Sequence, residues 1–240
     1  MRLNKFLSEA GVCSRREADR QIEAGHVYVN NVQATLGTQV YPEDEVSYNG
    51  KVVQAADQKI VIAFYKPVGI ECTSSVDVKD NIISYINFPT RIFPVGRLDK
   101  NSEGLILLTN DGDLSNGILK ARYFHEKEYV VTVNKSISQA FLQRMANGVE
   151  ILDTITRPCV VERVDERTFR IILTQGLNRQ IRRMCEALDY EVVKLKRIRV
   201  LNIKLGDLKK GEWRHLEASE LETLRANIAE NNDAPFETQV

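Results

Sequence analysis

The run Phe93-Pro94-Val95-Gly96-Arg97-Leu98-Asp99 passes into Asn101-Ser102-Glu103-Gly104 and then into the apolar segment Leu105 to Thr109. A carboxylate and a cation therefore lie on a glycine-flanked loop anchored by a strand, a rigid platform of the kind that carries chemistry. Taken alone, an Asp in a loop is more often a turn or cap residue. A carboxylate that serves as a nucleophile or base has to be ionised, and inside a cleft this requires an opposite charge close by. The segment Asn178-Arg179-Gln180-Ile181-Arg182-Arg183 gathers three arginines, which by themselves read as the charged surface of a basic helix. Asp99 and Glu103 also form a candidate pair for glycoside hydrolysis. Tyr129, in the alternating run Lys127 to Val133, offers a π-face to a planar ligand, although a Tyr in such a strand is more often core. Lys66, before Pro67, is either an anion contact or a residue that shapes a turn.

The elements that must position these groups fall into two modules. In the first fifty or so residues, Leu3, Phe6, Leu7 and Ala10 recur at helical spacing and Gly11 stops the helix. Ser14 with Glu17 three residues on is a capping-box signature for a second helix, which Gly25 ends. Val27 and Val29 before Asn30-Asn31 predict a strand and a tight turn. Arg2, Lys5, Arg15, Arg16 and Arg20 fall on the helical pair, where they are either ordinary surface charges or contacts to a nucleic-acid backbone. Gln54 to Lys59 reads as a short linker. Beyond it, strands are predicted at Ile60 to Tyr65, Lys127 to Val133, Cys159 to Val164, Thr168 to Leu173, Glu191 to Lys196 and Val200 to Leu205, and helices near Val78 to Ile86, Ser138 to Ala146, Asn178 to Leu188 and Ala218 to Ile228. Strands in runs rather than in strict βαβ alternation predict an α+β fold with a mixed, mainly antiparallel sheet. The expected organisation is a small domain over residues 1–54, a larger one over 60–230, and a disordered tail over 231–240.

Net charge is zero, with 33 basic and 33 acidic side chains among 240 residues, but the charges are unevenly spread. The segment from Asn178 to Arg214 is strongly basic and the tail beyond it is acidic, so the sum hides a local attraction for polyanions. The apolar runs are too short for a membrane span. Cys13, Cys72, Cys159 and Cys185 are far apart with no CxxC pair, which argues against a zinc site or a disulfide framework and for reduced thiols in a cytoplasm.

Two stretches carry a resemblance. The segment RLNKFLSEAG followed by CSRREADRQIEAGHVYVNN is similar to the alpha-L RNA-binding motif shared by a small-subunit ribosomal protein and several RNA-modifying enzymes. GRLDKNSEGLILLTNDG resembles the central motif of pseudouridine synthases, in the branch that carries an alpha-L motif and acts on ribosomal RNA. Lys66-Pro67-Val68-Gly69, Lys127-Glu128-Tyr129 and Gly176 to Met184 are similar to that family's other motifs, in the expected order. The resemblance implies a small α/β RNA-binding domain followed by a synthase domain that isomerises one uridine to pseudouridine. It implies that Asp99 is the catalytic carboxylate, Arg182 its partner, and Tyr129 the aromatic against the target base. Arg97 is expected to fill the space left when that base is flipped out. Lys66, Arg179 and Arg183, with Arg2, Lys5, Arg15, Arg16 and Arg20, are expected to contact RNA. The freed uracil rejoins the ribose through C5, so neither metal nor organic cofactor is expected. Val68 to Thr73, Arg91 to Pro94 and Gln175-Gly176-Leu177 resemble members acting on the large ribosomal subunit, with a transfer RNA left open as a second substrate. No membrane and no obligate protein partner is expected, and the chain is expected to be a monomer. The rival readings are a non-catalytic RNA-binding or ribosome-assembly factor that kept the fold, and a carboxylate hydrolase.

Overall fold

The computed structural model describes residues 1–55, 58–75, 77–120 and 124–233. It divides into two compact units, the first comprising Met1–Ile60 with Phe88–Phe93 and Thr109–Gly112, the second comprising Val61–Asn87, Pro94–Leu108 and the chain from Asp113 on.

In the first unit, α1 (Leu3–Glu9) and α2 (Arg15–Glu23) pack on a four-stranded sheet of β1 (Val27–Val29), β2 (Val32–Gln33), β3 (Val46–Tyr48) and β4 (Lys51–Val53), ordered β2-β1-β3-β4. Leu3, Leu7, Ala18, Ile22, Val27 and Val46 form its core. Ser14 caps α2 as expected, accepting from the Glu17 backbone N–H at 3.2 Å. Glu17 does not return the bond; its carboxylate is taken by Arg20 and Gln21 instead. Asn30 and Asn31 both adopt positive φ, the geometry that a two-residue hairpin between β1 and β2 requires. The linker expected over Gln54 to Lys59 includes residues 56 and 57, which lie outside the described residues. Its far end is pinned, since Asn110 donates to the Gln58 carbonyl at 2.9 Å and accepts from Ile60 N at 2.8 Å.

The second unit is built on a nine-stranded sheet, as a mixed α+β fold requires. Its strands are β5 (Val61–Lys66), β6 (Phe93–Val95), β7 (Glu103–Thr109), β8 (Lys127–Val133), β11 (Val160–Arg163), β12 (Thr168–Leu173), β13 (Val192–Val200), β14 (Ile203–Lys204) and β15 (Trp213–His215). The order is β11-β12-β8-β13-β7-β5-β15, with β14 on β13 and β6 on β7. The pairs β11–β12, β12–β8, β8–β13 and β5–β15 are antiparallel, whereas β13 and β7 run parallel. A two-stranded ribbon, β9 (Glu150–Ile151) and β10 (Thr154–Ile155), stands apart. The helices are α3 (Ile82–Ile86), α4 (Gly112–Leu119), α5 (Gln139–Asn147), α6 (Gln180–Ala187) and α7 (Ala218–Asp233). Every residue of β5 and β7 is buried, which is why Val61 to Tyr65 and Leu105 to Leu108 are continuous apolar runs instead of alternating, with the charges Lys66 and Glu103 only at the strand ends.

Several elements differ from expectation. The two strands read at Glu191 to Lys196 and Val200 to Leu205 are one nine-residue strand, β13, followed by the short β14. Helix α3 begins only at Ile82, because Asn81 caps it by accepting from Ser84 N at 2.8 Å while donating back to the Val78 carbonyl. The last helix continues to Asp233, three residues into the stretch expected to be a disordered tail, and 234–240 lie outside the described residues. Two cores flank the sheet's middle: one joins β8, β12, α5 and α6 through Val131, Phe141, Met145, Phe169, Ile171 and Met184, the other joins β5, β7, α4 and α7 through Ala63, Leu105, Leu107, Ile118 and Leu224.

Candidate active site

A cleft of about 630 Å³ opens in the second unit. Its lining includes Arg97 and Asp99 from the β6–β7 loop, Lys127 and Tyr129 from β8, Asn178, Arg179 and Arg182 from the start of α6, and Arg197 from β13. Side chains alternate along β8, so Lys127 and Tyr129 face the cleft while Glu128 points the other way. There Glu128 accepts from Arg170 at 2.7 Å and from Arg199 at 2.6 Å, a buried ionic group that stiffens the strand carrying Tyr129.

The loop bearing Asp99 is fixed on both sides. Leu98 donates its backbone N–H to the buried Cys72 Sγ at 3.3 Å. Gly69 N donates to the Lys100 carbonyl at 2.8 Å, and Ser102 N to the Asp99 carbonyl at 3.0 Å. Arg182 Nη2 donates to the Asn101 carbonyl at 2.9 Å and to Ser102 Oγ at 3.3 Å, and Nη1 to the Val192 carbonyl at 3.4 Å. That leaves Arg182 only 9 % exposed, with its Nε buried and without a hydrogen-bond acceptor. The same Nε lies 3.8 Å from Asp99 Oδ2, and Arg179 Nη1 lies 3.7 Å from that oxygen. Burial lowers the Arg182 pKa and the neighbouring charge of Arg179 adds to the effect. Both groups remain cations, so the carboxylate sits against a double positive charge.

Of the expected set, Asp99, Tyr129, Arg97, Arg179 and Arg182 come together in one cleft. Arg183 does not line it; its Nε donates to the Asn178 carbonyl at 3.0 Å and its Nη2 to Asn178 Oδ1 at 3.1 Å, so it braces the loop before α6. Lys66 requires a correction. It is fully buried, and its ammonium donates to the carbonyls of Pro67 at 2.8 Å and Ile70 at 2.7 Å, so it shapes a turn and presents no charge to RNA. Glu103, the partner in the hydrolase reading, is also outside the cleft lining. It is buried and ion-paired to Lys194 at 3.3 Å and Lys210 at 2.6 Å, so it is not placed to act as the second carboxylate beside Asp99.

Lys127 and Arg197 are among the cleft residues that lie outside the expected set. Lys127 stands two residues from Tyr129 on the same face, a position that the alternation could have marked; burial, with the like charge of Arg197, lowers its pKa to about 8. Arg197 is 4 % exposed and donates to the Leu105 carbonyl at 2.7 Å. No feature of the charged run Lys194 to Arg199 sets it apart. It can approach β7 because Gly104, opposite it at φ +111°, has no side chain: a Cβ there would lie 2.2 Å from the Arg197 carbonyl oxygen.

In the first unit, Arg2 at the start of α1 and Arg15 and Arg16 in the first turn of α2 are exposed or partly exposed. Lys5 lies 3.8 Å from Glu9, and Arg20 is taken up by Glu17, so these two are less available to a ligand.

Such an assembly, a fixed carboxylate beside two arginines in a cationic cleft with an inward-facing tyrosine, suits an enzyme acting on a polyanion such as a nucleic acid. The chain belongs to the RNA pseudouridylate synthase family, whose profile matches residues 60–187, and residues 1–46 match the S4 domain. It is 52% identical to the dual-specificity RNA pseudouridine synthase RluF of Escherichia coli strain K12 over 223 residues, covering 92% of this chain and 77% of that protein. It is 36% identical to ribosomal large subunit pseudouridine synthase B of Bacillus subtilis, covering 94% and 96% of the two chains. A crystal structure of a pseudouridylate synthase superimposes with a TM-score of 0.69 at 28% identity, over 93% of this chain and 99% of that one. The chain is thus an isomerase whose substrate is RNA. Among the described residues, no helix is long and apolar enough to cross a membrane.

Proposed function

We propose that this enzyme isomerises a specific uridine of large-subunit ribosomal RNA in the cytoplasm, with Asp99 as its catalytic carboxylate. The observation that carries the reading is the convergence of Asp99, Arg182 and Tyr129 in one cleft, with Asp99 Oδ2 3.8 Å from a buried Nε–H that has no other acceptor. The similarity to a dual-specificity enzyme and to a large-subunit enzyme supports the choice of RNA. The described cysteines are free, which suits a reducing compartment.

A uridine held in an RNA fold cannot offer its glycosidic bond, so it must be flipped into the cleft. Arg97, exposed at the cleft's edge, then fills the vacated stack, and Tyr129 packs against the base. Asp99 acts on the ribose, either attacking the sugar or removing a sugar proton; both routes break the C1′–N1 bond and let uracil turn. C5 bonds to C1′, N1 takes up a proton and the C5 proton leaves. Arg182 orients Asp99 throughout, because its Nη2 is tied to the loop that Asp99 belongs to and its Nη1 to the Val192 carbonyl of β13. Arg2, Arg15 and Arg16 of the S4 domain hold phosphates.

Asp99→Asn keeps the shape of the side chain but can neither attack nor act as a base. Tritium release from ribosomal RNA labelled at uracil C5 should fall by roughly three orders of magnitude or more, with RNA affinity nearly unchanged. Wild-type-like release by the variant overturns the assignment, and no release by the wild-type protein favours an assembly factor. Mapping pseudouridine in large-subunit and transfer RNA from cells with and without the protein identifies the target and whether there is a second one.

A further inference from the structure

If Asp99 is the catalytic carboxylate, a reading on which the role of Arg179 depends, its electrostatic surroundings hold one cation more than positioning requires. Two guanidinium groups converge on the same oxygen of Asp99, at 3.7 and 3.8 Å, and they are held very differently. Arg182 is buried and tied to Asn101, Ser102 and Val192. The Arg179 side chain is 42% exposed, and its guanidinium makes no hydrogen bond among the described residues. Its backbone, at φ 50° and ψ 35°, is left-handed at the position that caps α6, where a cap residue is normally extended and its side chain bonds the helix. Arg179 does neither. The strained turn is held from both sides, by Arg183 on the Asn178 carbonyl and by Gln180 Oε1, which accepts from Leu177 N at 3.1 Å. Unfavourable backbone maintained in this way at a site commonly serves the site. Here it delivers a loose cation to a carboxylate that already has a fixed one, inside a cleft where Arg97, Lys127 and Arg197 add further positive charge.

We infer that Arg179 is a transferable clamp: in the free enzyme its guanidinium rests on Asp99, and when RNA enters it moves to a phosphate flanking the target uridine, leaving Asp99 to Arg182. A phosphodiester is the anion a planar guanidinium fork fits best, and its arrival relieves the crowding of two cations on one oxygen. The buried Arg182 Nε–H then gains its acceptor by a closing movement of about 1 Å. Substrate binding and the final alignment of the carboxylate become one event.

The test is a double-mutant cycle between the arginine and the phosphate. Arg179→Gly removes the cation while suiting the left-handed backbone, so the fold is retained. The RNA partner is the mapped target fragment with the phosphodiester on either side of the uridine replaced, one at a time, by an uncharged methylphosphonate. For the wild-type enzyme, one of the two replacements should raise the half-saturating RNA concentration roughly tenfold or more, and Arg179→Gly should raise it by a similar factor on unmodified RNA. Combined, the two changes should cost less than about twofold beyond either alone, and the saturated single-turnover rate should fall less than the affinity. Losses that multiply, or a wild-type enzyme indifferent to both neutral linkages, overturn the inference. A drop in saturated rate with unchanged affinity also overturns it, because Arg179 would then be a fixed partner of Asp99. Asp99→Asn, measured on the same RNA, separates these failures from a failure of the catalytic assignment.

Discussion

Replacing Lys127 by Met should stabilise the protein at neutral pH while weakening RNA binding. Its ammonium donates to the His125 carbonyl at 3.2 Å, and burial together with the charge of Arg197 lowers its pKa from the ordinary 10.5 to about 8. A lysine whose pKa is lower in the fold than in the open chain binds its proton more weakly there. Below about pH 8 it is charged in both states, and the fold bears the full penalty. Between pH 8 and 10.5 the unfolded chain holds more of the proton, so stability rises with pH. Each pH unit of difference corresponds to about 1.4 kcal/mol, so holding this charge destabilises the fold by roughly 2 to 3 kcal/mol once partial solvent access is allowed for. Methionine keeps the length of the side chain and needs no hydration. The expected result is a Tm about 4–12 °C above wild type at pH 7, a gain that shrinks through pH 8–10 and vanishes near pH 10.5. Melting curves over that range decide it; His125, whose pKa is lowered by burial, titrates below the window and does not interfere. A variant no more stable than wild type at pH 7, or a gain independent of pH, would refute the reasoning. RNA affinity at pH 7 should fall in the same variant, since the cation stands beside Tyr129 in the cleft.

Gly104→Ala should be far more harmful than its single methyl group suggests: the added carbon would meet the Arg197 backbone at 2.2 and 2.6 Å, and its φ of +111° disfavours any side chain. A loss of about 3–5 kcal/mol is expected by denaturant titration, whereas Gly176→Ala, with nothing within 4 Å, should leave stability nearly unchanged; near-equal midpoints for the two would be incompatible with this packing. Replacing Arg15 and Arg16 together by Ala should lower the slope of log affinity against log salt by roughly 1.4 to 1.8 while sparing the saturated rate. An unchanged slope in filter-binding titrations would mean these residues do not hold phosphates.

What could be read in the sequence was whatever depended on near neighbours. Strands β8 and β12 fall where alternation put them, and Ser14 and Gly11 bound their helices because caps and stops are local chemistry. The loop from Gly96 to Ser102 before β7 was legible for the same reason, since glycine, charge and an apolar run follow one another within a dozen residues. The failures come from distant partners. Helix α4 gives no sequence signal because Gly112, Asn116 and Gly117 are poor helix formers, yet Gly117 is what lets the helix approach α7, where a Cβ would lie 2.6 Å from Ile228 Cγ2. Irregular pairing between Val192 and Lys194, and again between Arg197 and Arg199, breaks the period of β13, which splits one strand into two on paper and conceals the inward turn of Arg197. Lys66 looks like a free cation because the carbonyls that absorb its charge are backbone groups, invisible in a string of side chains.

The position of β13 in the sheet has a consequence for the order of assembly during synthesis. It lies between β8 and β7, joining a half whose strands β5 and β7 precede Lys120, and which β15 and α7 complete last, to a half built from residues after Lys127. The Asp99 loop belongs to the early half, while Tyr129, Arg179 and Arg182 belong to the late one. Their meeting depends on the parallel register of Glu103 with Lys196 and of Gly104 with Arg197, a closure across most of a hundred residues and correspondingly slow to form. A nascent chain can complete its S4 domain core and the pairing of β8 with β12 before β13 has left the ribosome, but it cannot bring carboxylate and arginine together. On the proposed roles of Asp99 and Arg182 in the chemistry and of the S4-domain arginines in RNA binding, the enzyme emerges able to hold RNA before it is able to change it, and the strand that closes the sheet is also the step that turns the chemistry on.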